Sequence, residues 1–167
     1  MKTLKRKTNV LRARIGGDVV DFFPKPNGKL ITVGEALKNV TPGKIYGSSN
    51  CLNLWKHMKN GQNASTLSME IKKKYGYNSL MFSLIRLDPK KPAPTIIKIS
   101  AGAAGHLHWK EPRRLTIPEL QRLCSFPDDW KMNGKEVEKQ NRLGNAIMPK
   151  LMQAIAENIK KEILKYD

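Results

Sequence analysis

The strongest periodicity in the chain lies near its carboxy-terminal end, where Leu151, Ile155, Ile159 and Ile163 recur at every fourth position with Met152 and Ala156 beside them. This spacing predicts one apolar stripe on a helix of about four turns. Pro149 stands at its start, where a missing N–H removes no helical hydrogen bond. No second long helix is predicted, so the stripe needs a partner surface. A shorter helix is predicted from Thr116-Ile117-Pro118-Glu119. Thr116 is placed to cap, Pro118 falls in the first turn, and Glu119 has the capping-box spacing. Leu120 and Leu123 give it an apolar face, Phe126-Pro127 ends it, and Asp128-Asp129 are expected to cap the next element. Lys131 to Lys139 reads as a polar linker, and Gly144-Asn145 as a turn needing positive φ.

Upstream the signals are shorter. Gly16-Gly17 and Asp18 to Phe23 suggest a turn and a short strand, and Pro24 to Gly28 a further turn. Thr32 to Leu37 reads as a short helix with Thr32 capping and Glu35 at the capping-box position. Leu52, Leu54, Trp55 and Met58 have roughly helical spacing and read as core. Leu67 to Tyr75 is expected to be another short helix. Asn78 to Leu87 alternates as a strand, with Leu80, Phe82, Leu84 and Arg86 on one side and Met81, Ser83 and Ile85 on the other. Asp88 to Pro94 is too rich in proline for a helix or a central strand. Thr95 to Ser100 is a second β-rich run, and Ala101 to Gly105 a small-residue loop. Its glycine spacing is not that of a phosphate-cradling loop. The fold class expected is α+β: a small irregular domain of short strands and helices, then a capped short helix and a long amphipathic one.

Charge changes this picture most. The 167 residues include 31 Lys+Arg against 14 Asp+Glu, a net of +17. A polyanion partner is the leading reading, because each neutralised phosphate releases condensed counterions. The bland account is a solvated lysine-rich surface. No stretch joins a clean apolar face to a basic one, which argues against a membrane partner. Met1 to Arg14 carries six basic residues and no acidic one, and reads equally as a basic arm or a frayed end. Asp18 and Asp21 break up the next stretch of chain, so neither a signal peptide nor a transmembrane span is expected. Cys51 and Cys124 lack metal-ligand spacing and fit buried thiols in a reducing cytoplasm.

Ordered motifs then point to a family. Arg113-Arg114-Leu115-Thr116, Glu119, Arg122-Leu123 and Phe126-Pro127-Asp128 resemble the ninth motif of the DNA (cytosine-5) methyltransferases. Gly144-Asn145-Ala146-Ile147 with Pro149 is similar to their tenth. Arg86-Leu87-Asp88, Pro92 to Ile96 and His106-Leu107-His108 resemble the end of their target recognition domain, and Phe23 to Pro26 with Thr32 to Leu37 the segment leading into it. Pro118, Cys124 and Met148 stand where the family usually has Arg, Gln and Pro. The sequence contains no Pro-Cys nucleophile loop, no Glu-Asn-Val segment and no glycine-rich strand-turn-helix for S-adenosylmethionine.

The resemblance implies a division into residues 1–21 as a basic leader, 22–111 as target recognition domain, 112–142 as ninth-motif brace and linker, and 143–167 as tenth-motif turn and helix packing on a catalytic domain. It implies a carboxy-terminal subunit or fragment that binds double-stranded DNA for methyl transfer from S-adenosylmethionine to carbon 5 of cytosine, acting in a bacterial-type cytoplasm with an amino-terminal methyltransferase chain. No catalytic residue and no metal site is expected in this chain, which alone is expected to be inactive; Met1 at a natural start favours a split subunit. The residues expected at DNA are Arg86, Thr95, Lys98, Ser100, Gly102, Gly105, His106 and His108. Asn145, Ala146 and Ile147 are expected at the cofactor. Each has a structural alternative: strand, turn, core or helix cap. The second functional reading is a non-catalytic basic DNA- or RNA-binding module, which would bury the Leu151 to Ile163 stripe internally. A general basic structural protein comes third and leaves the motifs unexplained.

Overall fold

The computed structural model describes residues 12–15, 18–21, 24–25, 30–45, 49–77, 84–98 and 105–162. The chain divides into two compact units, Met1–Lys29 with Ile147–Asp167, and Leu30–Ala146.

In the first unit, β1 (Arg12–Ile15) pairs antiparallel with β2 (Asp18–Asp21), Arg12 opposite Asp21 and Ile15 opposite Asp18. Arg12 to Arg14, the described part of the basic stretch read as an arm or a frayed end, are strand. The same unit holds the longest described helix, Pro149–Glu162, which is α6 in chain order. The Met148 carbonyl accepts from the Leu151 and Met152 amides at 3.0 and 3.1 Å. Lys160 and Lys161 in its last turn complement the helix dipole. Ile163, the last member of the expected stripe, lies outside the described residues.

The second unit is built on an apolar cluster of Leu54, Met58, Ala64, Leu67, Tyr77, Leu84 and Leu107, with Trp55, Ile71 and Tyr75 packed against it. It begins with α1 (Val33–Ala36), where Thr32 and Glu35 form the capping box that their spacing predicts. The Val33 and Gly34 amides, which no helical carbonyl can serve, donate to Lys91 and Pro89 carbonyls of the proline-rich loop at 2.8 and 3.0 Å. Next come α2 (Ser49–Trp55), a short 3-10 turn (Ala64–Thr66) and α3 (Met69–Lys74). Strand β3 (Leu84–Arg86) runs parallel to β4 (Gly105–Leu107), Leu84 opposite Gly105 and Arg86 opposite Leu107. Antiparallel bridges Asn63–Ile85 and Leu107–Arg114 extend the pairing on both sides. The result is a mixed α+β architecture.

Helix α4 (Ile117–Leu123) comes next, and α5 (Glu136–Asn145) packs on it, as does α1. After α4 the Phe126 amide reaches back to the Gln121 carbonyl at 3.0 Å and the Ser125 amide to Arg122 at 3.0 Å. That double return, with Ser125 at a φ of 59°, is a Schellman ending in which serine takes the left-handed place usually given to glycine.

Four local readings need correction. Lys131 to Lys139 is not all linker, because α5 begins at Glu136. Its inward residues are Gln140 and Leu143, so half of its buried face is polar and the apolar period is hidden. Thr95 to Lys98 has no strand structure; the partner of β3 is the segment from Gly105. Gly144-Asn145 closes a helix instead of forming a positive-φ turn, since a Cβ on Gly144 would run into the backbone of Ile97 and Lys98, with the Ile97 oxygen at 2.8 Å. The glycine is there for close approach. Finally, Asp128 caps no helix; it pairs with Arg122.

Candidate functional site

The ninth-motif region closes around one carboxylate. Arg113 sits where β4's neighbouring segment leads into α4, and its Nη1 and Nη2 donate to Glu119 Oε2 and Oε1 at 2.7 and 2.8 Å. The Thr116 amide and hydroxyl donate to Glu119 Oε2 at 2.7 and 2.9 Å. Arg113 also serves the Arg114 carbonyl at 3.1 Å and Glu111 at 2.6 Å. Burial pushes the Glu119 carboxyl upward, but the Arg113 fork and the Thr116 donors outweigh it and hold the group below the usual carboxylate range. Hydrogen bonding to Glu119 likewise raises Arg113. The capping residue, its partner and the arginine are all buried, so the arrangement fixes how β4's neighbour enters α4.

The two histidines flank Leu107 on β4's line and are buried, His106 at 3% and His108 at 6% exposure. Burial lowers His106 to about 4, opposed by the Thr95 backbone and helped to a lesser degree by the Arg114 charge. Neither His106 ring nitrogen has a hydrogen-bond partner of good geometry. His108 Nδ1 accepts from the Lys110 and Glu111 amides at 3.2 and 3.0 Å. That arrangement requires a neutral ring with its proton on Nε2, in keeping with a pKa lowered by burial and by Arg113. His108 also stacks on Trp109 at 4.0 Å between ring centroids.

Arg86 is committed to the protein. Its Nε and Nη2 donate to the Trp109 carbonyl at 3.1 and 2.7 Å, and Nη1 to the Met58 and Trp55 carbonyls at 2.6 and 3.3 Å. The guanidinium lies 3.6 Å from the Trp55 ring centroid, and Trp55 Nε1 donates to the His108 carbonyl at 2.7 Å. One arginine thereby ties α2, β3 and the segment after β4 together. The lone Arg in Leu84-Ile85-Arg86-Leu87 was the available clue that backbone carbonyls would have to satisfy it.

Among the other DNA-contact expectations, Thr95 and Lys98 are exposed. Gly105 is buried and at a φ of 136°, where a side chain would be strained. Ser100 and Gly102 lie outside the described residues. Asn145 is exposed, Ala146 half-buried and Ile147 exposed. Asn145 and Ala146 follow Gly144 directly, so the glycine's contact brings that end of α5 against the Ile97-Lys98 backbone. Cys124 is free and buried, its thiol pushed up to about 11 by burial, which suits packing and opposes nucleophilic use. Among the described residues no group of His, Cys, Asp and Glu is placed to hold a metal, and no helix is long and apolar enough to cross a membrane.

Comparison with known proteins bears on this arrangement. A family profile described as C-5 cytosine-specific DNA methylase matches residues 18–161. A protein of Methanocaldococcus jannaschii described as a type II methyltransferase is 33% identical over 152 residues, covering 91% of this chain and 47% of that protein. The type II methyltransferase M1.HphI of Haemophilus parahaemolyticus is 31% identical over 148 residues, 87% of this chain and 36% of its own length. This chain therefore spans less than half the length of either relative. A crystal structure described as a DNA modification methyltransferase encoded within a prophage of Escherichia coli superposes with a TM-score of 0.54 at 20% identity, over 89% of this chain and 52% of that one. That likeness speaks to the fold.

Proposed function

The chain belongs to the C-5 cytosine-specific DNA methylase family, and on that premise we propose that it is the carboxy-terminal, DNA-recognising portion of a DNA (cytosine-5) methyltransferase. The observation that carries this reading is the family match to residues 18–161 in a sequence that has the ninth and tenth motifs without a Pro-Cys nucleophile loop. The attacking thiolate and most of the S-adenosylmethionine site then belong to an amino-terminal part. Within the recognition region of 22–111, the exposed Thr95 and Lys98 are the described residues best placed to meet DNA. Base edges in a groove take the Thr hydroxyl, and phosphate takes the Lys charge. Arg86 is committed to backbone carbonyls and His106 and His108 are buried, which leaves Thr95 and Lys98 as the accessible pair.

For the cofactor, the exposed Asn145 amide offers both a donor and an acceptor. This suits a polar part of S-adenosylmethionine, which supplies the transferred methyl group. Helix α6 packs on the catalytic part through its Leu151 to Ile159 stripe; Leu151 and Met152 are 41% and 44% exposed, which favours a subunit over a self-contained binding module.

The test is methyl transfer from labelled S-adenosylmethionine to DNA. The chain alone should transfer none, and mixing with an amino-terminal part that carries a Pro-Cys loop should restore transfer. Activity of the isolated chain overturns the reading.

A further inference from the structure

The region from α2 to α3 carries a concentration of charge that the residues proposed for bases and cofactor leave unused. Residues 56–74 hold Lys56, Lys59, Lys72, Lys73 and Lys74 against one carboxylate, Glu70. Sequence separates the two lysine groups, and the fold joins them. His57 Nε2 lies 3.3 Å from the Tyr75 hydroxyl, with the rings 5.6 Å apart, and Trp55, Ile71 and Tyr75 pack on the same apolar cluster. Lys72 is held down, its Nζ donating to the Ser65 carbonyl at 3.0 Å. Lys56, Lys59, Lys73 and Lys74 remain exposed. The helix dipole favours the cations in the last turn of α3, where Lys72, Lys73 and Lys74 all lie. It does not explain Lys56 and Lys59, which follow the end of α2, and the four exposed lysines repel one another where the fold brings the two stretches together, which calls for a counter-charge.

We propose that this lysine face grips the phosphate backbone of duplex DNA, positioning the recognition region without reading sequence. The proposal rests on the reading of the chain as a DNA-recognising portion. Compact ammonium groups suit phosphates as point charges. Single-stranded nucleic acid fits less well, because it needs open aromatic faces on which to stack bases. Here Trp55 is covered by Arg86, and Tyr75 is engaged by His57 and by Lys74, 5.6 Å from its centroid.

The experiment is equilibrium binding of the full chain to a duplex between about 50 and about 200 mM salt. The double variant Lys73→Gln with Lys74→Gln is compared with Lys38→Gln and Lys44→Gln, which removes the same charge from exposed positions elsewhere. Each lost phosphate contact should flatten the log–log salt slope by about 0.9, so the first double variant should lose roughly ten-fold less affinity over that range than the wild type. The second should keep the wild-type slope. Equal flattening in both, or none in the first while wild type binds, overturns the lysine face alone. Tighter binding of a single-stranded oligonucleotide that the first double variant abolishes also overturns it, by assigning the face to another partner. A wild-type chain that binds no duplex overturns the underlying reading as well.

Discussion

Two arginine–carboxylate pairs flank helix α4, and both span six residues: Arg113 with Glu119 at its start, Arg122 with Asp128 past its end. Their chemistry is the same and their surroundings are opposite. The inner side chains are 6% and 5% exposed, the outer ones 30% and 64%. The inner carboxylate also takes the Thr116 amide and hydroxyl, so neither inner partner can turn to water if the other is lost. The outer pair can exchange its partner for solvent at any time. Burial therefore decides which pair constrains the fold, and the same contrast separates the buried histidines from the exposed Thr95 and Lys98.

The largest expected effect is at the inner pair. Glu119→Ala leaves the buried Arg113 with only the largely exposed Glu111 as a charged partner and should cost about 3–5 kcal/mol, read as a lowered urea midpoint with unchanged slope. A loss below about 1 kcal/mol would make the two pairs equivalent and break the contrast.

Next comes acid sensitivity at His106. Its folded pKa of about 4 lies below the ordinary 6.5, so between those values the unfolded chain binds a proton that the folded chain refuses. Stability is then full above the ordinary value and falls as pH drops through this window, by roughly 3 kcal/mol at its acid end. Urea midpoints near neutrality and at the acid end should differ less for His106→Gln than for wild type. If both fall equally, carboxylates such as Glu119, whose depressed pKa gives stability lost only as acid protonates it, carry the whole effect.

Gly144→Ala should cost about 1–3 kcal/mol by overpacking, because the new methyl meets the backbone of Ile97 and Lys98, which cannot rotate away as a side chain would. Duplex affinity should fall with it if that segment faces DNA. Denaturation and duplex titration of this variant would show the two losses together, whereas a wild-type midpoint would mean the helix end yields freely. The smallest effect belongs to the outer pair, where Asp128→Asn should change stability by about 0.2–1 kcal/mol, and less in high salt.

Much of the fold was legible from local chemistry. Thr32 with Glu35 and Thr116 with Glu119 announced two helix starts, since a capping box needs only residues three apart. Pro149 marked a third. Helix α5 was not legible, because Gln140 shares its buried face with Leu143 and a glycine lies in its last turn. Nor was the parallel pairing of β3 with β4, since a short parallel ladder is fixed by whatever lies between its strands.

The sequence by itself determined the family, the net charge of +17, the caps and the stripe on α6, all of which depend on residue type and near-neighbour spacing. Tertiary structure decided which of those residues face water. Arg86, His106 and His108 look from the sequence like DNA contacts, and the fold buries the two histidines and commits Arg86 to backbone carbonyls. Gly144 looks like a turn, and the fold makes it a point of backbone contact. Five lysines in two separate stretches come together because Tyr75 meets His57 and because Trp55, Ile71 and Tyr75 pack on one apolar cluster. The physical reason is common to all: local hydrogen-bonding rules act over a few residues, whereas burial and charge neighbourhood depend on what distant segments bring alongside.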